Sequence, residues 1–334
     1  MNILITGGAG FIGSHFVKKL AKERPDWNLI VLDKLTYAGN KKNLEGVKHR
    51  FLEMDIADEE IHDVFSTFGI NWVINFAAET HVDRSIRYPK AFLETDIMGI
   101  FNLVKASIER KVSKFVHIST DEVYGPILEG EASESYPLNP TSPYSASKAA
   151  AELLLRSYQK TYGLPLIIFR PCNCFGPGQY PEKLIPITIT RILKGQRAIV
   201  HGNGHEWREW MYVDDMVDIM YRLILSVECV GLTNVLNIGS GFRLKNVSVI
   251  ESIFQSLSVK PDIEYVNNRP GNDYRYAISS ENLRSILWRY PEESFEKFRE
   301  HLAETISWYK ENQDWWKDID ISSNIYKSGE GYVR

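Results

Sequence analysis

Directly after its first short apolar run, Ile3 to Thr6, the chain places glycines at 7, 10 and 13, and an amphipathic stretch from Phe11 to Lys22 follows at once. No other feature limits the fold so strongly. Glycine there permits a tight strand-to-helix turn and lets the backbone come close to a ligand. The start of the helix adds unpaired N–H groups and the positive end of its dipole, a ready seat for a phosphate. Strand, glycine loop and helix in that order read as the first unit of a doubly wound α/β sheet.

The first half of the chain repeats the rhythm. Further strands are expected at Leu29–Asp33, Arg50–Met54, Trp72–Phe76, Phe115–Ser119 and Leu166–Phe169, and helices at Glu59–Phe68, Ala91–Glu109 and Tyr144–Tyr162. The strand runs are continuously apolar, as in a parallel sheet covered on both faces. After Arg170, Pro171, Gly176, Pro177, Gly178, Pro181 and Pro186 crowd a short stretch that reads as loops crossing a cleft. Beyond it come a helix near Val213–Leu225, a strand near Val235–Ile238, and helices near Val247–Leu257 and Phe295–Glu311. The expected division is therefore a dinucleotide-binding, catalytic region at 1–170 and a smaller α/β substrate-binding region at 171–316, partly interleaved with the sheet. A tail at 317–334 has few apolar anchors.

Composition removes several function classes. With 44% hydrophobic residues in 334 the chain can bury a substantial core. Its net charge of -4, without a basic stripe, argues against nucleic acid or an anionic membrane as the partner. No apolar stretch approaches the ~18 residues of a membrane span, and no secretory signal is visible, so a cytoplasmic protein is expected. Cys172, Cys174 and Cys229 have neither a second cluster nor a His pair nearby, so reduced thiols and no metal site are expected.

Asp33 lies about twenty residues past Gly13, at the end of the second strand. A carboxylate there accepts hydrogen bonds from ribose hydroxyls and repels a 2′-phosphate, which favours NAD over NADP. Lys34 beside it would soften that preference, and Asp55, ending the third strand, is placed to meet the adenine edge. Tyr144 and Lys148 share one helix face four residues apart. An ammonium beside a phenol lowers its pKa and makes an acid–base group for a sugar hydroxyl. Just upstream, Ser119-Thr120 ends a strand and Asp121-Glu122 follows, two carboxyl groups where open α/β sheets bind ligands.

Glycine loop, Thr120, Tyr144 and Lys148 together resemble the extended short-chain dehydrogenase/reductase family. Within it, the string Thr120–Gly125 (TDEVYG) resembles the nucleotide-sugar 4,6-dehydratases. Epimerases and decarboxylases of the family carry small or hydroxyl residues at 121 and 122, and inverting dehydratases carry a lysine at 122. The runs Leu32–Asn40, Ala77–Ser85, Pro181–Pro186 and Arg269–Asp273 resemble the dTDP-glucose 4,6-dehydratase branch, and the likeness extends over about Met1 to Trp316.

The resemblance implies NAD held by Gly7, Gly10, Phe11, Ile12, Gly13 and Asp33, with Lys34, Thr36, Asp55, Ile56, Ala77, Ala78, Tyr144 and Lys148 completing the site. It implies a nucleotide-diphosphate hexose contacted by His81, Thr120, Asn173, Glu182, Lys183 and His201, and further by Arg208, Asn237, Arg269, Asp273 and Tyr276. The catalytic set would be Thr120, Asp121, Glu122, Tyr144 and Lys148. In the Ala77–Ser85 run Thr80 stands for a serine. Other departures gather in the nucleotide half: Cys174 stands for an asparagine, His201 for a tyrosine, and Met216 and Asn272 each for a histidine, while Ser240–Arg243 lacks the usual run. Thymidine and uridine nucleotides therefore both remain open. So do a 4-epimerase or decarboxylase and, from another class, a silent cofactor-binding regulator. Helices at 96–109 and 145–162 resemble those of a homodimer interface.

Overall fold

The computed structural model describes residues 1–226, 235–291 and 293–319; Cys229 and the tail from 320 onward lie outside these residues. Seven strands form the central sheet: β1 (Asn2–Thr6), β2 (Asn28–Asp33), β3 (Arg50–Glu53), β4 (Trp72–Asn75), β5 (Lys114–Ile118), β6 (Leu166–Pro171) and, from far downstream, β10 (Val235–Ile238). Their order is β3-β2-β1-β4-β5-β6-β10, all parallel. The order reverses direction beside β1, where the glycine loop leaves the sheet, and that is where an open α/β sheet has its crevice.

Helices cover both faces. On one side lie α1 (Phe11–Glu23) and α8 (Val213–Leu225), on the other α2 (Ile61–Phe68), α5 (Ile100–Glu109) and α6 (Pro143–Tyr162). Phe16 and Phe115 are fully buried in the two opposed layers, each contributing roughly 1.5–3 kcal/mol by leaving water. No described helix is long and apolar enough to cross a membrane.

Two expectations needed correction near the site. The single helix at Ala91–Glu109 is in fact three pieces: α4 (Pro89–Leu93), preceded by the short α3 (Val82–Arg87), then a π-helical turn Glu94–Gly99, then α5. The wide turn, whose bonds reach one residue further than in an α-helix, buries Thr95 and Asp96. The fifth strand stops at Ile118, before Ser119-Thr120. Thr120 instead caps a 3₁₀ turn, Asp121–Tyr124, its hydroxyl accepting from the Glu122 N–H at 3.2 Å.

The remaining strands make two small sheets: β7 (Asn173–Phe175), β9 (Trp207–Tyr212) and β11 (Arg243–Lys245) in one, β8 (Ala198–His201) and β12 (Ile263–Val266) in the other. With α7 (Leu184–Leu193), α9 (Asn246–Leu257) and α11 (Phe295–Glu311) they enclose a second core around Phe175, Trp210 and Phe298. The short helices α10 (Glu281–Ile286) and α12 (Gln313–Trp316) complete the described chain.

Candidate functional site

A cavity of about 420 Å³ opens over the C-terminal ends of β1, β2, β4 and β5 and is closed from the far side by residues of the small sheets. Gly7, Gly10, Phe11, Ile12 and Gly13 line it. Gly7 has φ +67°, and a Cβ there would fall 2.4 Å from the Ala77 backbone nitrogen; at Gly13 it would fall 2.4 Å from the Gly7 carbonyl oxygen. No side chain caps the N-terminus of α1 and no acid lies in its first turn. That cradle is shaped by bare backbone and suits a dinucleotide pyrophosphate. Thr36, Ala77 and Ala78 continue the wall. Asp33 lines it too, its two carboxylate oxygens accepting from the Ala9 and Leu35 N–H groups at 3.0 and 2.9 Å.

Lys34, Asp55 and Ile56 do not reach the cavity wall. The Lys34 ammonium turns away, donating to Thr95 Oγ1 at 2.8 Å and lying 3.3 Å from Asp55 and 3.5 Å from Glu79. Asp55 also accepts from the Ala57 N–H at 3.0 Å, and Ile56 is buried against Gly99.

Thr120, Asp121, Glu122, Tyr144 and Lys148 all line the same cavity. The capped 3₁₀ turn sets the first three; α6, which begins with a Ser142–Ser145 capping box and Pro143, sets the other two. Lys148 Nζ donates to the Ile118 carbonyl at 2.7 Å. Asp121 is 3% exposed and its Oδ2 has no hydrogen-bond partner among the described residues. Burial pushes its carboxyl well up, and the charges of Glu122 and Glu209 push it further. Burial raises Glu122 too, but Arg269, Arg208 and Lys183 pull the other way. The Tyr144 phenol, expected to be depressed by Lys148, is held well above its ordinary value, chiefly by burial and then by the Glu122 charge.

Sequence reading passed over Asp96. Its carboxylate accepts from Ser147 Oγ at 2.6 Å and from the Glu79 N–H at 3.2 Å. It thereby ties the Ala77–Glu79 loop to the turn of α6 between Tyr144 and Lys148. Burial lifts it to about 6, against the attraction of Lys148. A polar residue inside an apolar helical pattern was the only sign of it. Tyr37 was passed over as well; its hydroxyl donates to Glu182 Oε1 at 3.1 Å.

On the opposite wall, Asn173, Glu182, Lys183, His81, His201, Arg208 and Arg269 line the cavity. Burial lifts Glu182 to about 7, and its Oε2 has no hydrogen-bond partner among the described residues. His81 caps α3, its Nδ1 accepting from the Arg84 N–H at 3.3 Å; burial, then the charges of Lys183, Arg269, Arg84 and Arg87, hold it well below the usual imidazole range. Lys183 donates to the Thr80 carbonyl at 2.6 Å.

Three expected substrate contacts lie off the wall. Tyr276 and Asp273 stand one layer behind: the Tyr276 hydroxyl donates to Asp273 Oδ2 at 2.9 Å and sits 3.5 Å from Glu122. Asn237 is fully buried, accepting from the Tyr124 hydroxyl at 2.7 Å and donating to the Ala132 and Ser279 carbonyls at 3.0 Å. Tyr124 in turn accepts from Arg170 at 2.6 Å, and Arg170 is paired with the buried Glu152. Asn237 therefore serves the core, joining β10 to the turn that carries the carboxyl pair.

A family model described as "NAD dependent epimerase/dehydratase family" matches residues 3–239. The low-salt glycan biosynthesis protein Agl12 of Haloferax volcanii is 45% identical over 89% of this chain and 95% of its own length. A dTDP-glucose 4,6-dehydratase of Streptomyces niveus is 40% identical over 96% of each chain. Among solved structures, DesIV, a dTDP-glucose 4,6-dehydratase from Streptomyces venezuelae with NAD and TYD bound, superposes with a TM-score of 0.88. It is 41% identical, covering 95% of this chain and 99% of that one.

Proposed function

The chain belongs to the NAD dependent epimerase/dehydratase family, and we propose that within it the protein is an NAD-dependent nucleotide-sugar 4,6-dehydratase, converting dTDP-glucose or UDP-glucose to the 4-keto-6-deoxy sugar nucleotide and water. One observation carries the choice within the family: adjacent carboxyl groups, Asp121 and Glu122, sit on one capped turn and face the same cavity as Tyr144. An epimerase has no use for that pair.

Bound NAD supplies the hydride acceptor for carbon 4 of the glucose and the donor for carbon 6. Tyr144, as its phenolate, takes the proton of the carbon-4 hydroxyl, a form that burial and the Glu122 charge oppose and that the Lys148 ammonium along the same helix face would favour. The carbonyl so formed acidifies the hydrogen on carbon 5. Glu122, raised by burial but with its charge favoured by Arg269, Arg208 and Lys183, removes it and gives the proton back to carbon 5 when carbon 6 receives the hydride. Asp121, whose proton is held more firmly by burial and by the charges of Glu122 and Glu209, protonates the departing hydroxyl on carbon 6. Environments that separate two neighbouring carboxyls in this way assign acid and base between them. Each group accounts for roughly 10²–10⁴-fold in rate. Asn173, Glu182 and Lys183 would border the sugar, and Arg208 and Arg269 the diphosphate.

A homodimer belongs to the same proposal. The segment from α4 to α5 packs on α6, and their outer surfaces leave Leu93, Met98 and Leu153 about half exposed; light scattering at twice the monomer mass would support it. A cytoplasmic setting is proposed as well, in keeping with the free thiols of Cys172 and Cys174. The deciding experiment incubates the protein with dTDP-glucose and with UDP-glucose and follows the alkaline absorbance of the 4-keto product. Formation of a 4-epimer without water loss would remove the dehydratase reading.

A further inference from the structure

Arg208 and Arg269 share the wall proposed to receive the diphosphate, and both are set by one buried acid that does not itself line the cavity. Glu206 immediately precedes β9 and is 5% exposed. Its Oε1 accepts from the side-chain amides of Asn272 at 3.1 Å and Asn268 at 3.4 Å, and its Oε2 from that of Asn246 at 3.5 Å. An ionised carboxylate only accepts, so it draws the NH₂ of Asn272 toward itself. The second hydrogen of that NH₂ goes to Asn268 Oδ1 at 2.8 Å. Both amide hydrogens being engaged, the carbonyl of Asn272 is left facing the other way, where it accepts from Arg208 Nη2 at 3.1 Å. Arg208 also donates to the Trp207 carbonyl at 2.9 Å and lies 4.5 Å over the Tyr276 ring, so its guanidinium is fixed on three sides. The same Asn268 Oδ1 accepts from the Arg269 backbone N–H at 3.0 Å, which anchors the second arginine at its main chain.

We propose that Glu206 is a positioning residue for the nucleotide: by fixing which way the Asn272 amide points, it presets the Arg208 guanidinium, and through Asn268 the Arg269 backbone, for a diphosphate. The inference rests on the nucleotide-sugar reading above. Without Glu206 the Asn272 NH₂ keeps only its bond to Asn268, and turning the amide would set that NH₂ against the guanidinium, donor to donor. A preset cation binds more tightly than one that must be ordered on binding.

The test is calorimetric titration of the NAD-loaded protein with dTDP and with UDP, alongside steady-state kinetics on the sugar nucleotides. Glu206→Leu, which removes the acceptor, is expected to raise Kd and KM roughly tenfold, the loss of about one hydrogen bond to a charged group. Its kcat should stay within about threefold and its NAD content unchanged, whereas a merely structural role for Glu206 would lower both. Glu206→Gln keeps a carbonyl for Asn272 and Asn268, while Asn246 can reverse its own amide, so binding should return to within about threefold of wild type. A leucine variant that binds like wild type overturns the inference, as does a glutamine variant no better than leucine. Wild type that binds neither diphosphate overturns it too. Wild type that binds one but does not dehydrate its glucose conjugate removes the proposed function and leaves the positioning role standing.

Discussion

The two walls of the cavity are built by opposite means. The glycine side is backbone against backbone: Gly7 and Gly13 leave no room for even a methyl group, and Asp33 is held by main-chain N–H groups. The arginine side is side chain upon side chain: Arg208 is fixed through Asn272 and Arg269 is paired with Asp83 at 3.4 Å. A wall of the first kind fails abruptly when altered, because neighbouring backbone cannot give way. A wall of the second kind shifts by degrees, because each amide contributes about one hydrogen bond. Of the departures from the resembled family, His201 and Asn272 fall on the second wall, where change is mild, whereas Met216 is buried in the core away from the cavity.

The largest effects should therefore come from the sheet side, at the reacting groups. Tyr144→Phe and Glu122→Gln should each lower product formation by about 10²–10⁴-fold while NAD content, read by absorbance of the denatured protein, stays at the wild-type level. Near-normal turnover of the Glu122 variant would show that another base does the work. Gly7→Ala comes next. At φ +67° and 2.4 Å from the Ala77 nitrogen, an alanine Cβ must displace the loop, and displacement of about 1 Å at a site of this kind costs on the order of 10²-fold. Here NAD content should fall together with activity. If Gly7→Ala retained both, the distinction between the two walls would collapse.

Charge sharpens the comparison, because on the sheet side it is buried. Burial lifts Asp96 from 3.8 to about 6, so the folded chain holds that proton more firmly than the unfolded chain. The resulting stability is present in acid and is lost as pH rises through about 6. Asn at 96 has no such loss, and Ser147 can turn to accept from its amide. Asp96→Asn should accordingly unfold later than wild type at pH 8, by at most about 3 kcal/mol, with most of the gain gone at pH 4. Asp96 also raises Lys148, against the larger effect of burial, so the alkaline limb of kcat should move to lower pH in the same variant. An unmoved limb would mean that the catalytic lysine does not feel this carboxylate.

What could be read from the sequence divides along the same line. The strands of the central sheet, the glycine loop and the Thr120–Glu122 turn are local: hydrophobic period and spacing along the chain carry them. Asp96 escaped because a π-helical turn interrupts the expected helix, so a regular helical period over Ala91–Glu109 misjudges which way it faces. Glu206 escaped because its partners, Asn246 at the start of α9 and Asn268 and Asn272 in a later loop, lie 40 to 66 residues away. Asn237 was assigned by likeness to a substrate contact, yet three hydrogen bonds bury it beneath the site. Long-range pairing of polar side chains leaves no period in a sequence.

Lys34 gives the smallest expected effect and the finest test of the contrast. Next to Asp33, its ammonium would favour a 2′-phosphate if it swung toward the ribose. In the structure it is held instead by Thr95, Asp55 and Glu79. Such a partly exposed set of contacts contributes only about 0–1 kcal/mol, so Lys34→Ala should change the KM for added NAD less than about threefold and leave any use of NADP as poor as in wild type. A tenfold loss of NADP use on removing Lys34 would show the ammonium leaving its carboxylates to meet the phosphate. The sheet-side wall would then contain one long, movable cation of the kind otherwise confined to the arginine side, and NAD selectivity would rest on Asp33 working against it rather than on Asp33 alone.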